Sequence, residues 1–271
     1  MKYLVLALLL IASPVGAAIT HIGSLGTANP TAAATTTVIT TAATLEAGNV
    51  AIAVIALDNA CVSNDTPTQT TEVTGVADSA ANTYTRLREV CVSVDGVGAG
   101  SAATLSIWVT KATAELATGG TITFTHASQT ARAARAREFT VAAGNSLKVA
   151  GTPIDEFLDG TDATTQTLTG LPDKEYLFLR LIGRERADTT AITLTANYTA
   201  WVVVCADNGG ADATSMWLAG EFRILTLTGQ GGDTSDPTIP AVSEGTDGIN
   251  TYLALEEYST LARPVSPIMF Q

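Results

Sequence analysis

Residues 82–91 read NTYTRLREVC, and residues 196–205 read ANYTAWVVVC. In each stretch a Tyr-Thr pair precedes a cysteine by the same interval, from Tyr84 to Cys91 and from Tyr198 to Cys205. The 271-residue chain has only three cysteines, and two of them occupy the same frame about 114 residues apart. This recurrence indicates an internal duplication.

Other segments repeat in the same order around the two frames. Each copy has a long apolar segment before its frame, a tryptophan segment with a closing Thr-Gly after it, and a Glu-aromatic-hydroxyl ending, at 48–57, 101–120 and 134–140 and again at 173–183, 211–232 and 253–259. A period of roughly 115 residues is too long for a solenoid or propeller repeat. The sequence therefore predicts two sandwich-sized halves, residues 18–144 and 145–271.

Alternation of apolar and polar residues predicts strands throughout both halves. In 103–111, Leu105, Ile107 and Val109 alternate with polar residues and Trp108, and Ile122, Phe124 and His126 alternate with threonines. Thr- and Val-rich segments between Gly, Asn and Asp turns favour an all-β fold. We predict a jelly-roll-like antiparallel β-sandwich of two duplicated halves. Residues 141–172 contain no flexible Gly- or Pro-rich linker, so we expect one compact unit, with tandem sandwiches as the alternative.

Charge and the N-terminal residues restrict location and partners. The formal charge of −12 disfavours nucleic acid, which needs clustered Lys and Arg. Residues 1–17 combine Lys2, a run of about ten apolar residues and small residues at Val15 and Ala17, a pattern typical of a secretory signal peptide cleaved before Ala18. The run is too short to span a bilayer. We therefore expect an extracellular protein without a membrane span.

Three cysteines in an exported chain allow one disulfide. We predict that Cys61 pairs with Cys91 and that Cys205 is a buried thiol. A link between Cys91 and Cys205 is the competing arrangement.

One basic cluster and the tryptophans are candidate contact residues. Arg132, Arg135 and Arg137 could grip a carboxylate or an acidic partner, or they could form a solvated strand face that protects a sheet edge. Trp201 is the candidate aromatic contact, since tryptophans can stack on sugar rings. Two of the three tryptophans, at matching places in the copies, instead favour a role as core supports.

Acidic loops are the candidate metal ligands. Asp207, Asn208, Asp233 and Asp236 offer the hard oxygen ligands that Ca²⁺ prefers. Asp and Asn are also the residues that tight turns require, as at Asp78 and Asn82, and this alternative has greater weight. No cofactor other than Ca²⁺ is indicated, and dispersed Cys and His disfavour zinc.

Catalytic motifs do not rise above background. His21 and His126 lie outside any motif, and no Gly-x-Ser-x-Gly elbow occurs. Glu138 and Glu257, at matching places in the two copies, could form a glycosidase pair, or they could make structural charge pairs between strands. We expect a protein that is not an enzyme.

Four segments resemble a family of β-sandwich proteins encoded by tailed bacteriophages and some bacteria. They are AGNVAIAVIALDN (47–59), VTGVADSAANTYTRL (73–87), TLSIWVTKATAELATGGTITFT (104–125) and AREF (136–139). The resemblance covers most of residues 19–260 and implies a virion surface role as a head decoration protein, fibre or tail adhesin. It carries over no catalytic residues.

We therefore expect a non-enzymatic structural or interaction protein that forms homo-oligomers and contacts other virion or cell-surface proteins or a surface glycan. A secreted bacterial module that binds carbohydrate or a cell surface is the alternative, and a glycoside hydrolase is a more distant one.

Overall fold

The computed structural model describes residues 18–58, 66–93, 102–159, 164–209, 212–240 and 247–260. In these ranges the chain forms strands, with one 3-10 turn at Asp212–Thr214. The first half contains β1 (Thr20–Ala28), β2 (Ala34–Thr40), β3 (Val50–Asp58), β4 (Thr68–Gln69), β5 (Val73–Asp78), β6 (Thr85–Ser93), β7 (Ala102–Lys111), β8 (Thr121–Gln129) and β9 (Arg132–Thr140). The second half contains β10 (Asn145–Asp159), β11 (Gln166–Leu168), β12 (Glu175–Glu185), β13 (Thr199–Ala200), β14 (Val204–Ala206), β15 (Met216–Thr226), β16 (Asp233–Ser235) and β17 (Asp247–Ser259).

Each half contributes one large and one small antiparallel sheet. The large sheet of the first half has the order β1-β9-β3-β7-β6-β4, and its small sheet has the order β2-β8-β5. In the second half the large sheet runs β10-β17-β12-β15, with β13 and β14 both paired to β15, and the small sheet is β11-β16. The orders of the two large sheets correspond from β1 and β10 onward, with β13 and β14 in the place of β6, and β4 pairs with β6 in the first half only.

The register of pairing defines which positions correspond. One row in the first half joins Thr85, Val109, Ile52 and Arg137 across β6, β7, β3 and β9. The row at the same place in the second half joins Thr199, Phe222, Leu179 and Leu253. Positions counted along the strands from these two rows are called register-equivalent below.

The two large sheets pack face to face, as the layers of a sandwich do. Their shared core is one apolar cluster drawn from both halves, including Ile52, Val54, Leu179, Leu181 and Leu253. The other face of each large sheet lies under its own small sheet, so the order of layers is small, large, large, small. Because the central strands are covered on both faces, β3 is buried over its whole length.

Register-equivalent residues meet at the interface between the large sheets. A Cβ atom built on Gly183 would lie 3.0 Å from the Cβ of its equivalent, Ala56. Two residues further on, Asp58 and its equivalent Glu185 are both buried, and each shifts the pKa of the other. Contact between equivalent positions is the hallmark of an isologous interface between two copies. The chain is thus organised like a dimer fused into one polypeptide.

The antiparallel all-β sandwich predicted from the sequence is confirmed, whereas the jelly-roll detail stays a prediction. The predicted alternation is confirmed in β7 and β8. Leu105, Ile107 and Val109 face the shared core while Trp108 faces the small sheet, and Ile122 and Phe124 are buried between more exposed threonines.

Candidate functional site at two β-bulges

The repeated Tyr-Thr-Cys frame spans a β-bulge in both halves. The step from Thr85 to Cys91 in β6 is six residues, and it faces a step of five residues from Val109 to Thr104 in β7. In the second half the step from Thr199 to Cys205 is also six residues, and it faces five residues of β15, from Phe222 to Trp217. One extra residue at the same place, in β6 and between β13 and β14, keeps the spacing of the frame.

A groove lies beside each bulge. Groove 1 has a volume of about 590 Å³ and is lined by residues 69–71 and 86–89. Groove 2 has a volume of about 260 Å³ and is lined by Thr189, Ala191, Ile192, Ala200, Val202, Val203, Ala219 and Gly220. Ala200, Val202 and Val203 of groove 2 are at the positions that Arg86, Arg88 and Glu89 occupy in groove 1, so the two grooves correspond.

Groove 1 is polar, and its charged side chains bind within the molecule. Arg86 donates hydrogen bonds to the carbonyl oxygens of Thr70 (3.1 Å) and Val73 (3.0 Å), and its guanidinium lies 5.0 Å from the ring centre of Trp108. Arg88 forms an ion pair with Asp155 of β10, which ties the first half to the second. Arg86 and Arg88 therefore stabilise the fold through contacts within the molecule.

Glu89 lies at the base of groove 1 and is buried. Its carboxylate accepts hydrogen bonds from Ser106 Oγ (2.7 Å) and the backbone N–H of Val73 (3.2 Å). Burial raises the pKa of Glu89, and these hydrogen bonds together with Arg86 oppose the rise. The group therefore has structural partners on two elements.

Groove 2 is apolar, and its lining residues carry no charge. Two of its lining residues, Ala219 and Gly220 of β15, are small. Val202 at the rim is 48% exposed and has a φ of 55°. A left-handed backbone is costly for a β-branched residue, and such strain often marks functional sites. Groove 2 can receive an apolar side chain.

The predicted arginine contact surface is wrong, because all three arginines are buried. They belong to β9, which lies inside the large sheet between β1 and β3, so the edge-protection alternative is wrong as well. Arg132 donates from Nε to Thr37 Oγ1 (3.0 Å), and Arg135 donates from Nη2 to Ser24 Oγ (3.1 Å). The sequence did not indicate that these arginines are buried, because the strands that cover them are distant along the chain.

Arg137 and Trp201 do come together, but inside the molecule. The guanidinium of Arg137 lies 5.3 Å from the ring centres of both Trp201 and Phe222, and its Nη2 donates to the Ala200 carbonyl oxygen (2.9 Å). Trp201 is fully buried. Burial, with a contribution from Arg135, lowers the pKa of Arg137 to about 10. The pair joins the two halves and is closed to a partner molecule.

All three tryptophans are buried core residues, as one of the two interpretations proposed. Their expected correspondence is wrong in register. The equivalent of Trp108 is Glu221, and the equivalent of Trp217 is Thr104. The matching tryptophans in the sequence are therefore offset along β7 and β15.

The structure does not assemble the predicted calcium ligands. Asp207 accepts the backbone N–H of Gly209 (3.0 Å), and the backbone N–H of Asn208 donates to Ser215 Oγ (3.0 Å). Asp233 accepts from Tyr198 and Arg223, whereas Asp236 accepts from Thr165. Across the described ranges, no group of three or more His, Cys, Asp or Glu residues is arranged to hold a metal ion. Turn and cross-strand contacts account for these residues.

The Asp78–Tyr84 segment forms a turn that is held by side-chain hydrogen bonds. Asp78 accepts hydrogen bonds from the backbone N–H groups of Ala80 and Asn82 (both 3.0 Å) and from Tyr84 Oη (3.3 Å). Asn82 is buried and accepts from the backbone N–H groups of Thr113 (2.8 Å) and Ala114 (3.0 Å). The motif fixes a turn against the connection that follows β7.

Glu138 and Glu257 do not face each other. Glu138 lies on the small-sheet side of β9 and accepts from Asn49 Nδ2 (2.7 Å), whereas Glu257 lies on the same face of β17 as the core residue Leu255 and accepts from Asn145 Nδ2 (2.7 Å). The register-equivalent of Glu138 is Ala254. Each glutamate instead stabilises an Ala-Gly-Asn turn at the start of the neighbouring strand.

Both histidines also have structural partners. His21 contacts Phe222, with 4.8 Å between ring centres, and its Nε2 lies 2.9 Å from Arg137 Nη1. His126 Nε2 lies 2.9 Å from Thr37 Oγ1. Burial is the main cause that lowers the pKa of each histidine.

Two of the three cysteines, Cys91 and Cys205, lie within the described residues. Cys205 is a free, buried thiol, so the alternative link between Cys91 and Cys205 is wrong. Burial raises the pKa of the Cys205 thiol to about 11. Cys91 is disulfide-bonded, while its predicted partner Cys61 lies outside the described residues, as does the predicted signal peptide at 1–17.

Groove 2 was not predicted from the sequence, because its lining comes from three separated segments of small and aliphatic residues. The repeated Tyr-Thr-Cys frame is the sequence signal that indicates this place, because it makes residues 200–203 equivalent to residues 86–89. The described part of the chain contains no helix with the length and apolar character needed to cross a membrane. No family model, curated protein or solved structure matches the chain.

Proposed function

We propose that this protein is a non-enzymatic structural and interaction protein on the surface of a bacteriophage particle. Groove 2 is the observation that carries the proposal. An uncharged recess with an exposed aliphatic rim, in a chain with a formal charge of −12, is suited to contact with another protein. Its occupant is an apolar side chain of a neighbouring virion subunit.

The scaffold supports this role. Two large sheets packed on each other give a rigid body, and edge strands of such bodies present contacts at fixed positions. The polar residues that could have served catalysis, Glu138, Glu257, His21 and His126, make turn and cross-strand contacts instead. We also propose an extracellular, homo-oligomeric protein, with the particle as its setting.

The experiment is gradient purification of particles from the organism that carries the gene, followed by immunodetection of this protein. We expect it to band with the particles. Val202→Asp places a carboxylate at the rim of groove 2 and should reduce particle association at least tenfold. Val38→Asp is the matched control, since Val38 is 44% exposed but lies on β2, away from the groove.

The outcomes separate the parts of the proposal. Protein found only in the cell-free supernatant would overturn the particle role and favour the secreted binding module. If the wild-type protein bands with particles and Val202→Asp does not reduce this association, the surface role is retained and groove 2 is overturned as its contact.

A further inference from the structure

Glu175, the first residue of β12, binds the start of the described chain. Its Oε1 accepts hydrogen bonds from the backbone nitrogens of Ala18 (2.7 Å) and Ile19 (2.6 Å). Ile19 is buried in the core shared by the two large sheets. The first residues of the first half are therefore attached to the second half.

Glu175 lacks a cationic side-chain partner among the described residues. No ion pair found there involves it, and the adjacent Lys174 instead donates to Glu256 (2.6 Å). A half-buried carboxylate thus directs one oxygen at two backbone nitrogens. A carboxylate in that position would gain more from a cation, because hydrogen bonds between two charged groups are stronger than those with one.

We propose that a peptidase cleaves the Ala17–Ala18 bond and that Glu175 is the binding site for the α-ammonium group this releases. Water adds across the peptide bond, so that residues 1–17 leave with a carboxylate on Ala17 and the new amine at Ala18 takes up a proton. In the uncleaved chain the same nitrogen is a neutral amide. Val15 and Ala17 provide the small side chains that leader cleavage requires.

This inference goes beyond the proposed function and holds for a particle protein or a secreted one. Cleavage converts a neutral hydrogen bond into an ion pair between the N-terminus and β12. The ion pair also protects the amine, because an ammonium group held by a carboxylate loses its proton less readily and reacts more slowly with acylating reagents.

The first test is the intact mass of the protein recovered after expression of the full chain in a bacterial host with an export system. We expect a chain that begins at Ala18. The second test is the rate at which an N-hydroxysuccinimide ester acylates the α-amino group near pH 8, read by peptide mass spectrometry. We expect acylation in the wild type to be at least tenfold slower than in Glu175→Gln.

Glu256→Gln is the matched control, since it removes the carboxylate that pairs with Lys148 and Lys174 and leaves Ala18 untouched. It should acylate at the wild-type rate. A chain that starts elsewhere, or an equal rate in wild type and Glu175→Gln, would overturn the proposal. If Glu175→Gln fails to fold, titration of the wild-type α-amino group by NMR decides, because an ordinary pKa of about 8 would mean that no ion pair forms.

Discussion

The two halves share one strand order but differ in what lies between their large and small sheets. In the first half this layer contains a large apolar cluster beside the buried Arg132, and one row joins Arg86, Trp108 and Ala53. The register-equivalent row in the second half joins Ala200, Glu221 and Arg180. The same fold therefore accepts an alanine and a tryptophan in one copy where the other has a buried arginine and glutamate.

Arg180 organises the polar layer of the second half. It is fully buried and donates to Asn250 Oδ1 (3.0 Å), the Ser235 carbonyl oxygen (2.6 Å) and the Thr164 carbonyl oxygen (2.7 Å). Burial lowers its pKa, and nearby carboxylates such as Glu156 oppose that change. The small sheet of the second half has only two strands of three residues each. Hydrogen bonds therefore replace much of the apolar contact that the three-stranded small sheet makes in the first half.

The largest expected effect comes from removing this arginine. Arg180→Ala should lower the free energy of unfolding by about 3–5 kcal/mol, because breaking a buried charged network leaves its partners uncompensated. Urea unfolding at pH 7 measures it. Lys148→Ala, at an exposed residue of β10, is the control and should cost less than about 1 kcal/mol. A loss below about 1 kcal/mol for Arg180→Ala would mean that the polar layer does not stabilise the second half.

The second expected effect is a pH dependence of stability that arises from the equivalent residues Asp58 and Glu185. Burial raises the pKa of Asp58 to about 7 and that of Glu185 to about 9, and the Asp58 and Asp247 carboxylates add to the rise at Glu185. The folded state therefore binds more protons than the unfolded state between about pH 4 and pH 9. Stability should fall as pH rises through that window, by at most about 1.4 kcal/mol per pH unit for each proton.

Glu185→Gln checks this pH dependence, since an amide can donate to Asp58 without ionising. Thermal unfolding between pH 5 and pH 9.5 should give a flatter profile for the variant than for the wild type. Glu138→Gln is the control, because it replaces a glutamate that makes turn contacts and has no part in the pair of Asp58 and Glu185. Parallel profiles for wild type and Glu185→Gln would mean that the buried pair of Asp58 and Glu185 does not cause the pH dependence.

The equivalent tyrosines of the repeated frame give a smaller, matched comparison. Tyr198 Oη lies 2.7 Å from both Asp233 Oδ2 and Tyr252 Oη, whereas Tyr84 Oη makes one long contact of 3.3 Å with Asp78. Tyr198→Phe should cost about 1–3 kcal/mol because it leaves buried polar partners unsatisfied. Tyr84→Phe should cost less than about 1 kcal/mol, and equal losses in urea unfolding would contradict the difference between the halves.

The smallest effect concerns the two bulges. A glycine at position 202 adopts the left-handed backbone without the steric strain of valine, but it also loses more conformational entropy on folding. We therefore expect Val202→Gly to leave the free energy of unfolding unchanged or to raise it by up to about 1 kcal/mol. Arg88→Gly at the equivalent position, where no such strain is present, should destabilise because it removes the ion pair with Asp155. A Val202→Gly variant that loses more stability than Arg88→Gly would mean that the strain is absent.

Local patterns predicted the strands and the duplication, because alternation and turn residues act over a few neighbours. Side-chain burial was not predictable in the same way. Arg137 looked exposed in sequence, yet the strands that bury it lie far away along the chain. Register failed for the same reason: similar endings suggested that Glu138 matches Glu257, whereas pairing through β3 and β12 matches it to Ala254.

Groove 2 and the Glu175 contact also depend on pairings between distant segments. No local periodicity brings residues 189–192 beside 200–203, or Ala18 beside Glu175. The frame from Tyr198 to Cys205 could be read from the sequence, but its meaning as a bulge required the partner strand.

The most direct test of two equivalent halves packed through their large sheets is a cross-link at the interface. Ala56→Cys with Gly183→Cys places two thiols where the Cβ atoms lie 3.0 Å apart, so a small shift reaches disulfide geometry. We expect peptide mapping to find a disulfide between positions 56 and 183 after oxidative folding. Ala53→Cys with Gly183→Cys, in which position 53 faces the small sheet, should give none. Absence of the first link, or formation of the second, would contradict the packing of the halves.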